Sequence, residues 1–276
     1  MRAKATKALL MVPVLLYTAF SAGPYLWTAM MSLRTTDEIY KNHYGLPVPP
    51  HFWKFVTAWT EFGYATYFKN SAIVTVTAVA IITVVGAMAG YGFARRRFAF
   101  PWREPLFLML FLSIMFPPQI MILSLFQILI KYGLFNTLAG LIVVYVATEL
   151  PVTIYLLRAF FAQIPQELEE AARIDGCTDW SMFWRVMFPI ARPAVATTMI
   201  LNFIYFWNEF LYAVVFITKQ EIRTLPLAIQ FLVSDQYFDI GMLATGLMIA
   251  TLPVLVMYLF LSEWFVKGMT AGAVKG

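Results

Sequence analysis

Charge is scarce in this chain. Only 13% of its 276 residues are Asp, Glu, Lys or Arg, about half the share that soluble domains carry. That excludes an ordinary water-facing fold. Cysteine is scarcer still: Cys177 stands alone, which excludes an internal disulfide and a thiolate cluster for a metal. His43 and His51 are the two histidines. No carboxylates accompany them at metal-ligand spacing, so solvated loop histidines are expected in place of a metal site. The dipeptide Gly-Lys does not occur. A G-x-x-x-x-G-K-[ST] phosphate loop is therefore excluded, and energy from a nucleotide has to come from another chain.

What the chain has in abundance is apolar residues, 61% of the total. A helix needs about 20 of them in a row to cross a bilayer. Six windows qualify: 8–33, 70–94, 105–130, 138–160, 194–218 and 240–266. The first is too long for a signal-peptide core and lacks a small-residue cleavage pattern, so it is expected to be retained as a span. No linker and no repeat of 20–50 residues interrupts the pattern. The expectation is an all-α membrane protein with six transmembrane helices in a single domain, 1–276.

The net charge of +5 does not call for nucleic acid, because the cations are sorted by side. With both termini inside, thirteen of the 20 Lys and Arg fall on the inner face. They include Arg95, Arg96, Arg97 and Arg103 after the second window, and Arg158, Arg173, Arg185 and Arg192 around the fourth and fifth. Such an excess sets orientation in the membrane.

Between the first two windows lies an external segment with Gly45, Pro47, Pro49 and Pro50, followed by Trp53, Phe55, Trp59, Phe62, Tyr64, Tyr67 and Phe68. Aromatics at that density beside a span predict a helix lying in the headgroup layer. The third window contains Pro117-Pro118. Two prolines free backbone carbonyls, which a membrane helix tolerates only where protein or water lines the break. The fourth window carries Glu149 and Pro151, and the sixth carries Pro253.

The most informative stretch is a charged island between the fourth and fifth windows, 161–193. Pro165 suits a first helical turn, and Glu167, Glu169 and Glu170 complement the positive end of the helix dipole. Ala171 and Ala172 form helix readily with minimal side chains, so another surface can come close. Gly176 stands where a left-handed cap is expected. Thr178 or Asp179 can cap a second helix through Trp180, Phe183 and Val186, with Pro189 as its stop. Trp180, Met182, Phe183, Trp184 and Met187 put large apolar groups where no lipid core receives them, so some pack on the spans or face a partner.

At these residues the chain resembles the membrane subunits of ATP-binding-cassette importers, whose signature is E-A-A, three residues, G, nine residues, I-x-L-P. Glu170-Ala171-Ala172, Gly176 and Pro189 fall at that spacing, with Val186 and Phe188 in the apolar positions. The terminus from Gly268 to Gly276 is similar to the tail of the second permease in maltose-type carbohydrate importers. Asn70-Ser71 and Trp207-Asn208-Glu209-Phe210 are smaller echoes. The resemblance implies an inner-membrane permease that pairs with a second permease, two cytoplasmic ATPases and an external solute-binding protein. ATP and Mg²⁺ would sit on the ATPases, and this chain would do no catalysis. It also implies that Glu167, Glu170, Ala171, Ala172, Arg173, Asp175, Gly176 and Pro189 couple to an ATPase. Thr270, Gly272 and Lys275 of the tail 267–276 would reach the ATPase pair.

Polar residues inside the windows are the candidates for a solute path. Asn202, Tyr205, Glu209 and Tyr212 fall within about 80° on a continuous helix; Asn208, Glu149 and Gln119 complete the set. Such a stripe suits sugar hydroxyls, but hydrogen bonding between helices explains it as well. The word carbohydrate rests on the resemblance, since the residues alone give a polar solute. Importers for a polyol or a glycerol phosphoester remain open. A secondary transporter should show paired broken helices, and only the third window is visibly broken.

Overall fold

The computed structural model describes the backbone of residues 2–98, 100–234 and 239–273, and side chains over 11–95, 97–98, 100–230 and 239–260. Among the described residues there are helices and no strand. Apart from two short 3-10 turns (Arg96–Phe98 and Gln220–Ile222), in chain order they are α1 (Arg2–Ser32), α2 (Thr36–Lys41), α3 (Trp53–Thr60), α4 (Tyr64–Ala94), α5 (Arg103–Ser113), α6 (Pro118–Lys131) and α7 (Leu138–Phe161). Then come α8 (Glu167–Ile174), α9 (Asp179–Met182), a π-helical turn (Phe183–Met187), α10 (Phe188–Ile190), α11 (Arg192–Asn208), α12 (Leu211–Phe216), α13 (Leu225–Ser234) and α14 (Ile240–Ala273). Helices are what an apolar chain must form in lipid, where no water pairs with a free N–H or C=O.

Three described helices are long and apolar enough to cross a membrane: Tyr64–Ala94, Leu138–Phe161 and Ile240–Phe260. Two bent pairs raise the number to five if each is one span. The first pair joins α5 to α6 at 107°, and the second joins Asp179–Ile190 to α11 at 77°. Helix α1 covers the first expected window and is not among these candidates, which are counted over the described residues alone. The bend between α5 and α6 falls at Pro117-Pro118, as the sequence suggests, with Pro118 opening α6.

The fifth window behaves differently from its expectation. It is not one helix over 194–218, for α11 ends at Asn208 and α12 restarts at Leu211. No proline or glycine marks the place. The cause is Glu209, which leaves the helical region (ψ 130°) and turns its carboxylate onto the next helix.

The chain packs as two compact units. One comprises residues 1–66 and 227–252. In it Thr35 and Glu38 cap α2 reciprocally. The Arg34 guanidinium donates to the carbonyls of Glu38 and Asn42. Lys54 is buried and donates to the Arg34 carbonyl at 2.6 Å. Burial pushes its ammonium down to about 8, so at neutral pH it keeps its proton and that bond. Asp239 caps α14 through Met242 N (2.7 Å) and accepts from the Thr36 hydroxyl. His51 is not a solvated loop histidine: it is half-buried and pairs with Glu38 at 3.0 Å, a partner thirteen residues earlier in the chain. Helix α3 turns Trp53, Val56 and Trp59 outward while hiding Lys54 and Ala58, an arrangement suited to a helix against lipid headgroups.

The other unit comprises 67–226 and 253–276. Here α4 and α7 come into backbone contact. A Cβ on Gly90 would lie 3.0 Å from the Arg158 backbone nitrogen, so a larger residue would have to push the two backbones apart by a few tenths of an ångström. The side chain of Asn70 holds the carbonyls of Glu221 and Arg223 (2.9 Å each), and the Ser71 hydroxyl accepts from Leu225 N. That pair of residues therefore pins the segment after α12 to the start of α4.

Candidate functional site

The charged island folds as the elbow its sequence suggests. Helix α8 opens at Glu167, after an N-cap at Gln166, with Glu167, Glu169 and Glu170 in its first turn. Pro165 lies just before this cap, not in the first turn. The helix closes on Gly176, whose φ is +82°. Gly176 N donates to Arg173 O (2.8 Å) and Cys177 N to Ala172 O (3.0 Å), the paired closure of a left-handed cap. Thr178 then caps α9, accepting from Ser181 N. Pro189 does not stop the second helix. The chain runs through it by way of the π-helical turn, which accommodates the missing N–H, and ends at Ala191 (ψ 0°).

The inner face of the elbow is apolar. Ala172, Met182, Phe183 and Met187 are buried against Tyr91 of α4, Leu157 and Phe161 at the end of α7, and Ile164 in the turn that follows it. The outer face keeps large side chains in the open: Ile174 is 87% exposed, Trp180 62% and Leu168 42%. Ala171 and Glu170 share that exposure. Large apolar side chains left open on a short charged helix are the kind of exposed patch that marks a candidate interaction site.

Electrostatic ties fix the elbow to α4. The guanidinium of Arg95, just past α4, is buried and pairs with Glu169 of α8; it also donates to Ile164 O at 3.0 Å. Arg97 pairs with Asp179 of α9 at 2.6 Å. Nearby, Glu104 receives both Arg103 (2.8 Å) and Arg158 (3.1 Å).

Within the spans the polar residues form two groups. Asn202 is buried and donates to the Thr153 hydroxyl at 3.0 Å, linking α11 to α7. Glu209 is buried too. Its oxygens accept from Tyr145 OH (2.6 Å), Tyr212 N (2.6 Å) and Ala213 N (3.2 Å). Tyr212 therefore belongs to the restarted helix α12, not to a stripe on α11. Glu149 and Tyr205 lie within hydrogen-bonding reach of each other and are less enclosed; Asn208 and Gln119 are exposed.

This architecture has known counterparts. The family described as "Binding-protein-dependent transport system inner membrane component" matches residues 82–271. That is most of the chain, from the second half of α4 through the elbow and into α14. The chain belongs to this family. Among curated relatives, the probable ABC transporter permease protein YurM of Bacillus subtilis is 37% identical over 95% of this permease and 86% of its own length. The diacetylchitobiose uptake system permease protein NgcG of Streptomyces coelicolor is 38% identical over 82% of this chain and 74% of its own. The trehalose transport system permease protein SugB of Mycobacterium tuberculosis is 34% identical over 95% of each. The fold matches a chain of a bacterial ABC transporter involved in alginate import, with a TM-score of 0.80 at 20% identity over 96% of this chain and 98% of that one.

In the permease, then, the island residues 167–176 come together on one capped helix, while Pro189 lies one helix further on. Of the tail residues, the backbone at Thr270 and Gly272 is part of α14, the Thr270 side chain lies outside the described residues, and Lys275 lies outside them altogether. What sequence reasoning missed is Arg95 and its partner Glu169. The cluster 95–97 reads as plain inner-face charge, and nothing local in the sequence links Arg95 to an island some seventy residues later.

Proposed function

We propose that this chain is one of two permease subunits in an ATP-driven importer of sugars or oligosaccharides, served by an external solute-binding protein. The observation that carries this reading is the capped elbow of α8, with Ile174, Leu168 and Ala171 exposed on a helix clamped beneath the spans. Such a knob serves no purpose without a receiving groove. In this reading the groove belongs to a cytoplasmic ATPase, which holds the ATP and Mg²⁺, and this chain hydrolyses nothing. Glu167, Glu170, Arg173 and Asp175 would make the polar contacts around the knob, with Gly176 setting its angle and Pro189 the turn into α11. Relatives named for trehalose, diacetylchitobiose and melibiose/raffinose/stachyose support carbohydrate as the cargo. Helix α1 would supply the sixth span, which puts both termini in the cytoplasm in agreement with the inner-face cations.

The test is uptake in proteoliposomes that contain the permease pair, the ATPases and the binding protein. Accumulation of a labelled oligosaccharide that requires ATP and the binding protein supports the reading. Uptake without either component would point to a secondary transporter, and uptake of a glycerol phosphoester alone would change the cargo.

The solute path would run along Glu149, Tyr205, Asn208 and Gln119, where α6, α7 and α11 can face the second permease, with Asn202 and Glu209 bracing the wall from behind. Tyr205→Cys in a Cys177→Ser background is expected to react with a small water-soluble thiol reagent, at a rate that changes when ATP is trapped. No reaction in any state would move the path onto the other permease. The tail would lie against the ATPase pair through Thr270, Gly272 and Lys275. Removing 268–276 is expected to lower the ATP hydrolysis that accompanies uptake, and unchanged hydrolysis would show the tail to be passive.

A further inference from the structure

The elbow meets the spans in two ways. Along the chain it runs directly into α7 and α11. Across space it meets α4, a helix about seventy residues earlier, through two arginines that follow α4 and reach one elbow helix each. The two contacts differ in kind. Arg97 and Asp179 are each 42% exposed, so water and salt screen them. Arg95 and Glu169 are 4% and 9% exposed, and removing one partner of a buried pair leaves a poorly compensated charge, which costs more than losing a screened contact.

Geometry makes the buried contact directional. Arg95 holds Glu169 on α8 and also the Ile164 carbonyl in the turn that leads into α8, while its own carbonyl accepts from Arg103 at 3.0 Å. Tyr91, one turn earlier on α4, packs its ring against Phe161 and Phe183, with its hydroxyl on the Met182 sulfur at 3.5 Å. A push on the exposed face of α8 therefore cannot slide that helix over α4 without stranding Glu169. We propose that the Arg95–Glu169 pair is the strut that carries movement of the elbow into α4, so that α4 shifts together with the elbow. Both are positioning residues, and neither lies in the surface offered to the ATPase. The inference rests on the permease reading above.

The experiment is a double-mutant cycle in the reconstituted importer: Arg95→Gln, Glu169→Gln and the two combined. Three quantities are read, namely ATPase co-purification, basal ATP hydrolysis, and solute imported per ATP hydrolysed. Each single substitution is expected to lower import per ATP by about fivefold or more while the ATPases still co-purify. The double variant should lose no more than either single, since both remove the same link. Arg97→Gln should change the ratio by less than about twofold, as suits a screened pair. An unchanged ratio in either single variant overturns the proposal. So do losses that multiply in the double variant, and so does import falling only in step with co-purification, which marks a clamp needed merely for folding. If the unaltered complex imports nothing in an ATP-dependent way, it is the permease reading that fails.

Discussion

Gly176→Val is expected to cut ATP-driven uptake by at least about tenfold and to lose the ATPases on purification, while the spans still insert. The substitution introduces no clash, because a Cβ at this position would meet nothing within 4 Å. Its whole cost lies in the backbone. At φ +82° an L-residue pays about 1–2 kcal/mol, and a β-branched one more. The chain can escape that strain only by moving to negative φ. Escape breaks the closing bonds from Gly176 to Arg173 and from Cys177 to Ala172, at about 1 kcal/mol each, and swings α9 away from α8. Ile174 and Ala171 then no longer present the surface they form now. Gly176→Asn is the control, since asparagine tolerates this region and should keep most activity. Full co-purification and uptake in the valine variant would sink the argument.

Glu209→Ala is expected to be the most damaging single change to the fold. It orphans three buried donors at once: Tyr145 OH, Tyr212 N and Ala213 N. Each unsatisfied buried donor costs about 1–3 kcal/mol, and in a span no water is at hand to repair the loss. The midpoint of thermal unfolding in detergent should fall by more than about 5 °C, at roughly 2–4 °C per kcal/mol for a chain of this size. Glu209→Gln keeps an accepting oxygen in place and should lose less than half as much. A midpoint within about 1 °C of the unaltered chain in the alanine variant would mean that Glu209 does not hold the restart of α12.

Both residues bear on how much of the molecule was legible in advance. Gly176 was legible because a helix end is local: the caps depend on a few neighbouring residues, and Glu167 through Thr178 supply all of them. The bend at Pro117-Pro118 was legible for the same reason, as a missing N–H acts within one turn. Glu209 was visible but misread. On a continuous helix it would share a face with Asn202 and Tyr212, and hydropathy has no means of sensing that a carboxylate will leave its own helix to cap the next. The expected stop at Pro189 failed in a related way, since a proline ends a helix unless a wider turn lets the chain pass.

By itself the sequence determined that the chain belongs in a membrane and where the island folds into two capped helices. These follow from composition and from interactions spanning three or four residues, and they hold whatever the rest of the chain does. Only the tertiary structure decided that Arg95 and Glu169 are buried together, that Asn202 is bonded to Thr153, and that the fifth window breaks at Glu209. Each of these pairs a group with a partner tens of residues away, or with a backbone donor freed by a break that nothing local announces. Burial in a medium without water makes such pairs obligatory, but only folding chooses which partner each group obtains.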